Sequence, residues 1–336
     1  MDCDPGHDDV FAIVMAGYSD SIHLLGISTV ACNQTVECTT ENARRAVHFF
    51  GLETRVNVFK GQSKPLMKQT LKVCPEIHGE SGLDNIDGEH TLPPIPTDGE
   101  DDDDVSRKKN PTEGKAVIEM YHAIEKTYRE TGGERVTIVA TGALTNVALL
   151  LLLFGSEVQE MVDMICLMGG AIHGPGNTGP VSEFNIQTDP HAFHIVITNT
   201  PSIRVVMVPL EVTHTALCTD DIINRIRSLG HTDVIEKSIE LLTYFATTYK
   251  NVFGFDHPPL HDPCAVAFVI APEIFTVQHH YVSVEMNNPI SYGQTIVDVW
   301  KQSGEKENVE VCVRMDTDIF WDLMITALQK SLVRCG

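Results

Sequence analysis

The chain has 336 residues, 43% of them hydrophobic, which is enough to bury a sizeable core in one large α/β domain or two ordinary ones. Its formal net charge of −22 argues against nucleic acid or an anionic membrane as partner, because both would be repelled and no basic patch offsets the repulsion. No apolar run reaches the length of a membrane span, and the first residues are acidic where a secretory leader would be basic, so the expected compartment is the cytosol.

In chain order, MDCDPGHDD crowds four carboxylates (Asp2, Asp4, Asp8, Asp9) around a Pro-Gly turn, just ahead of a helical pattern expected from Val10. IHLLGISTVA then reads as a strand and TTENARRAVHFFG as a helix. The alternation repeats in RVTIVA and TNVALLLLLF, in DMICLMGG and DPHAFHIVITN, and in IRVVMV with the longer helical region after it. This predicts an α/β fold with an open, mostly parallel (mixed) twisted sheet flanked by helices, as a single domain over 1–336. HHYVSVEM, QTIVDVW and NVEVCVRM follow with no helix between them, and predict antiparallel additions at the sheet edge or a small β-layer. Residues 86–112 combine prolines, the acidic run Asp101–Asp104 and a basic cluster, and read as a solvated, mobile insertion. Nine cysteines without a CxxC pair read as reduced thiols, most of them buried.

In open α/β sheets, ligands bind beyond the carboxyl ends of the parallel strands. The residues there are DPGHDD, then Asn33 of ACN, Thr141 of TGALTN, and Glu183 and Asn185 of VSEFN, with His261 and Asp262 of PPLHDPCAV before a further apolar helix. Asp4, Asp8 and Asp9 fall on one turn, where like charges repel unless a cation or unusual protonation relieves them. A hard divalent ion with oxygen ligands meets that need. Helix capping accounts for one or two of these carboxylates, not three. An EF-hand starting at Asp2 fails, because His7 and Ile13 stand where Gly and Glu are required. A phosphatase using the Asp2–Asp4 pair lacks Arg or Lys in the other strand-end loops. The Asn, Glu, Thr and His side chains suit a neutral polyhydroxyl ligand, whose vicinal hydroxyls can complete the shell of Ca²⁺.

The motifs DCDPGHDD, VACNQT, HGESG, ATGALTN, LMGG, EFNIQTDP and HDPCAV, in this order, resemble the inosine-uridine preferring nucleoside hydrolase family. The resemblance implies a Rossmann-like nucleoside hydrolase fold and a Ca²⁺-dependent enzyme that cleaves ribonucleosides such as uridine or inosine into base and ribose. By position it implies Asp4, Asp9, Asp262 and the Thr141 carbonyl as calcium ligands. Asp8, Asn33, Asn177, Glu183 and Asn185 would contact ribose, with Met168 beside the ring. Asp4 would double as general base, and His261 and His78 would assist the departing base. Tyr249, with Phe245 one turn earlier on the same helix face, would belong to an aromatic base pocket. Homodimers or homotetramers are the implied assembly.

One departure from the family pattern concerns the start. Several apolar residues ordinarily precede the DxD turn and form a central strand, whereas only Met1 precedes Asp2 here. The first strand is therefore expected to be shortened or missing, weakening the turn that holds calcium. Either the product begins upstream, or the chain is an impaired form that binds calcium and ribonucleoside without turnover.

Overall fold

The computed structural model describes residues 1–96 and 115–335. The run Asp101–Asp104 lies outside the described residues.

The strands are β1 (Asp2–Cys3), β2 (Ile27–Thr29), β3 (Val58–Lys60), β4 (Val136–Ala140), β5 (Val162–Met168), β6 (Arg204–Val208), β7 (Phe275–His280), β8 (Val282–Val284), β9 (Thr295–Val297) and β10 (Val309–Met315). The helices are α1 (His7–Tyr18), α2 (Val36–Phe49), α3 (Pro75–His78), α4 (Ala116–Glu130), α5 (Thr145–Met161), α6 (Phe184–Thr188), α7 (Pro190–Thr198), α8 (Leu210–Thr213), α9 (Asp220–Arg227), α10 (Asp233–Phe253), α11 (Asp262–Ile270) and α12 (Thr317–Cys335). Eight strands form one sheet in the order β3-β2-β1-β4-β5-β6-β10-β7, parallel except for β7 against β10.

Alternating residues of the central strands feed two cores. Val139, Met164, Cys166 and Val206 pack with α1, α11 and α12, while Ile138, Ile165, Leu167 and Val205 pack with α5 and α7. Burial on both faces is the reason these strands read as continuous apolar runs. The strand order reverses between β1 and β4, which makes their carboxyl ends the switch-point crevice.

The first strand is present as Asp2–Cys3. Asp2 pairs with Ser28 on one side and Ala140 on the other, and the Thr141 amide donates to the Asp2 carbonyl at 2.9 Å. The amino-terminal group donates to the Gly26 carbonyl at 3.0 Å. Behind Met1, at the amino ends of β2 and β4, lies a cavity of about 730 Å³ lined by Leu24, Ile27, Val136 and Ile138.

Three local expectations need correction. NVEVCVRM is not an edge addition: β10 runs inside the sheet, parallel to β6, because its Val311 and Cys312 feed opposite cores. The small β-layer is the β8–β9 ribbon alone. Helix α1 starts at His7 instead of Val10, since the Asp9 carboxylate accepts the Gly6 amide at 3.0 Å and so caps the turn earlier. Within the stretch expected to be solvated from Ile86 onward, Thr91 and Leu92 are instead buried and Arg45 donates to the Leu92 carbonyl, while residues 97–112 of it lie outside the described residues. Eight of the cysteines, Cys3, Cys32, Cys38, Cys74, Cys166, Cys218, Cys264 and Cys312, are free, and all but Cys38 and Cys74 are buried. No helix among the described residues is long and apolar enough to cross a membrane.

Candidate active site

Each strand of the switch point delivers its following loop to one place. From β1 comes the DPGHDD turn, where Asp8, Asp9 and, from the start of α11, Asp262 each place a carboxylate oxygen within 4.8 Å of the others. All three are buried. Asp9 also accepts the Thr141 hydroxyl at 2.8 Å, tying the loop after β4 to the cluster.

Asp4 stands beside this trio. Its Oδ2 accepts the Asn33 amide at 2.7 Å, whereas its buried Oδ1 has no hydrogen-bond partner. Gly142 leaves the room for that oxygen, since a Cβ at this position would lie 2.3 Å from Asp4 Oδ1. Asn33 supports the turn a second time, its side-chain amide donating to the Asp4 carbonyl at 3.2 Å and to Asp9 at 3.4 Å.

Crowding and burial work against ionisation in the protein alone. Burial, then repulsion from Asp9, lifts Asp8 to about 7. Burial with Asp9 nearby holds Asp4 well above the carboxylate range, and burial with Asp8 and Asp9 does the same to Asp262. Asp9 is raised by burial against the pull of the Gly6 amide. An orphaned buried oxygen and three convergent carboxylates fit a hard cation with oxygen ligands, which would reverse each of these shifts.

The ribose-side candidates form a linked set. Glu183 caps α6, accepting Asn185 and Ile186 amides at 2.9 and 3.1 Å, and reaches back to the Gly170 amide at 3.1 Å. Asn185 then donates to the Thr141 carbonyl at 2.7 Å and the Met168 carbonyl at 3.2 Å. Asn177 accepts the Phe184 amide at 2.8 Å, pinning the long loop after β5 over the site.

Facing them is an aromatic wall from α10 and α3. The Tyr249 hydroxyl lies 2.6 Å from His261 Nε2, and Thr213 Oγ1 lies 2.8 Å from His261 Nδ1, so both ring nitrogens are engaged. His78 stacks on Phe245 with 5.6 Å between ring centroids. Burial lowers both histidines well below their usual pKa, so they are neutral rings in a dry wall.

One pocket of about 200 Å³ is lined by Asp8, Asn33, His78, Thr141, Met168, Asn177, Glu183, Asn185, Tyr249, His261 and Asp262. Asp4 and Asp9 lie behind that lining. Asp8, expected on ribose, joins the tight carboxylate trio, and Asp4, expected as a ligand, sits outside it with its free oxygen. Asp2 is elsewhere, accepting Ser28 at 2.6 Å and Asn146 at 2.8 Å, which removes the phosphatase-like Asp2–Asp4 pair.

Sequence reasoning missed several residues. Lys72, Thr178 and Phe253 line the pocket, Lys72 donating to the Thr178 hydroxyl at 3.1 Å. His7 touches His78, and Asp84 shapes the HGESG loop by accepting Glu80 and Ser81 amides at 2.8 and 3.1 Å. The histidine inside DPGHDD was the one available signal. Lys72 carried none, because its neighbours are far away in sequence.

A mostly parallel α/β sheet places a buried carboxylate cluster and neutral histidines on opposite walls of one small pocket. The model of the inosine-uridine preferring nucleoside hydrolase family matches residues 1–322, and the chain belongs to that family. It is a hydrolase acting on N-glycosyl bonds. It is 40% identical to a probable ribonucleoside hydrolase of Dictyostelium discoideum, over 98% of this chain and 94% of that one. It is 38% identical to the pyrimidine-specific ribonucleoside hydrolase RihA of Escherichia coli, over 98% and 97%. Among solved structures, a purine-preferring ribonucleoside hydrolase from Gardnerella vaginalis aligns over 99% and 98% of the two chains with a TM-score of 0.84 and 27% identity.

Proposed function

We propose that the protein is a Ca²⁺-dependent nucleoside N-ribohydrolase that converts ribonucleosides, uridine and inosine among them, to free base and ribose. The observation that carries this reading is the pairing, in one pocket, of a buried carboxylate cluster with neutral histidines on the opposite wall.

Asp4, Asp8, Asp9, Asp262 and the Thr141 carbonyl are the residues that would hold the ion. Bound there, calcium would supply the positive charge that acidifies a water and grips two vicinal hydroxyls. Asp4, with an oxygen free of other partners, accepts the proton of the attacking water. Glu183, Asn185, Asn177, Asn33 and Asp8 fix the ribose, and Met168 packs under its ring. Glycosidic cleavage builds positive charge on the sugar while the base departs with the bonding electrons. The carboxylates stabilise the former, and a hydrogen bond from His261 or His78 stabilises the latter. Phe245 and Tyr249 enclose the base.

Ribose release from uridine and inosine, with and without a calcium chelator, tests the proposal. Turnover abolished by chelation and restored by Ca²⁺ is expected, with 2′-deoxynucleosides poor substrates because the diol is lost. Binding of ribonucleoside without ribose release would favour the impaired homologue. Against that second reading, β1 keeps its register to both neighbours. A cytosolic setting suits the reduced, buried thiols. A homodimer or homotetramer is the expected assembly, which sedimentation would test.

A further inference from the structure

His7 sits between the two halves of the site, in the carboxylate-bearing turn yet packed into the aromatic wall. It is 1% exposed, and its ring stacks on Tyr244, His78 and Phe245 at centroid distances of 4.8, 5.4 and 5.9 Å. Its backbone amide donates to His78 Nδ1 at 3.2 Å, its own Nδ1 lies 3.2 Å from that same atom, and its Nε2 lies 2.9 Å from the Asp84 carbonyl.

Two ends of this chain have fixed chemistry. A backbone N–H can only donate and a carbonyl can only accept. His78 Nδ1 therefore carries a lone pair, and in a neutral ring the proton must sit on Nε2. His7 likewise donates its Nε2–H to Asp84, which fixes its ring in the stack and leaves a lone pair on its own Nδ1, so the ring meets His78 by stacking and only the backbone amide donates to it. The neighbouring Gly6 makes the seat possible, since a Cβ there would lie 2.6 Å from both His78 Nδ1 and Cε1.

We propose that His7 is a positioning residue for departure of the base, its amide holding His78 in the Nε2–H tautomer and its stacked ring holding the His78 ring in place at the pocket wall. This rests on the base-side role of His78 proposed above. The DPGH turn would then serve both reaction centres, carrying carboxylates toward ribose on one side and orienting a proton donor on the other.

The test compares two leaving groups. A nucleobase departs with help from a donor, whereas p-nitrophenolate leaves without one, so the ratio of kcat for uridine to kcat for p-nitrophenyl β-D-riboside isolates base activation from sugar chemistry. His7→Ala, which keeps the backbone amide but removes the stacked ring, is expected to lower this ratio several-fold, up to about tenfold, and His7→Phe, which keeps a stacked ring, by less. His7→Ala added to His78→Ala should lower it no further than His78→Ala alone. A His7→Ala ratio equal to wild type, or additive losses in the double variant, would overturn the proposal. If His78→Ala itself leaves the ratio unchanged, the base-side reading of His78 fails and this inference fails with it. Nitrogen-15 NMR of the histidine rings in the wild-type protein needs no variant. It should report His78 protonated on Nε2 alone, and protonation on Nδ1 would refute the assignment.

Discussion

Removing calcium should make stability fall as pH rises toward neutrality. Asp8 goes from an ordinary 3.8 to about 7 in the fold, because burial and the neighbouring Asp9 charge disfavour its ionised form. Between these values the folded protein holds a proton that the unfolded chain releases. The stability this contributes is complete below about pH 4 and is lost as pH rises through about 7. At 1.36 kcal/mol for each tenfold change in proton affinity, Asp8 alone is worth about 4 kcal/mol. Asp4, Asp9 and Asp262 are displaced in the same direction, so Asp8 does not act alone. An unfolding entropy of about 2.1 cal/mol/K per residue makes 4 kcal/mol equivalent to roughly 6 °C in a chain of 336 residues. The assay is a thermal scan from pH 4.5 to 7.5 in a calcium-selective chelator, repeated with excess Ca²⁺. Tm should drop by several degrees across the window in chelator, and Ca²⁺ should raise it most at the neutral end, by about 4 °C when free ion exceeds its Kd a hundredfold. A chelated Tm that does not change with pH, or a calcium effect equal at both ends, would refute the carboxylate-cage reasoning.

Three substitutions probe the site further. Asp4→Asn should lower kcat about 10²- to 10⁴-fold in a ribose-release assay. The same variant should raise Tm in chelator, because a buried, repelled carboxylate is gone. Gly142→Ala would place a Cβ 2.3 Å from Asp4 Oδ1 and 2.8 Å from its Cγ. Displacing that carboxylate should weaken Ca²⁺ binding at least tenfold by calorimetry, at roughly the 1–3 kcal/mol of an overpacked site, and an unchanged affinity would remove Asp4 from the ligand set. Tyr249→Phe deletes the 2.6 Å contact to His261 Nε2. Steady-state kinetics should then read about a tenfold loss in kcat, as expected for one buried hydrogen bond, with KM little changed if Tyr249 acts through His261 rather than by gripping the base.

The turn DPGHDD illustrates how local and distant information divide. Its carboxylates are adjacent in sequence, so their repulsion and the need for a cation were readable before any fold was known. Which of them meets which was not. Asp8 rather than Asp4 shares the tight cluster with Asp9 and Asp262, because α1 begins at His7 and turns Asp8 toward the start of α11. Likewise, spacing put Phe245 and Tyr249 on one helix face, but the bond from Tyr249 to His261 depends on where α10 packs.

By itself the sequence determined the alternation of strands and helices, the carboxylate-rich turn and the set of strand-end loops, because periodicity and charge are properties of neighbouring residues. The tertiary structure alone decided that β10 lies inside the sheet, that Lys72 reaches the pocket, and that a histidine in the carboxylate turn contacts one in the aromatic wall. Those contacts join segments tens to hundreds of residues apart, and only packing of the two cores against one sheet brings them within hydrogen-bond reach.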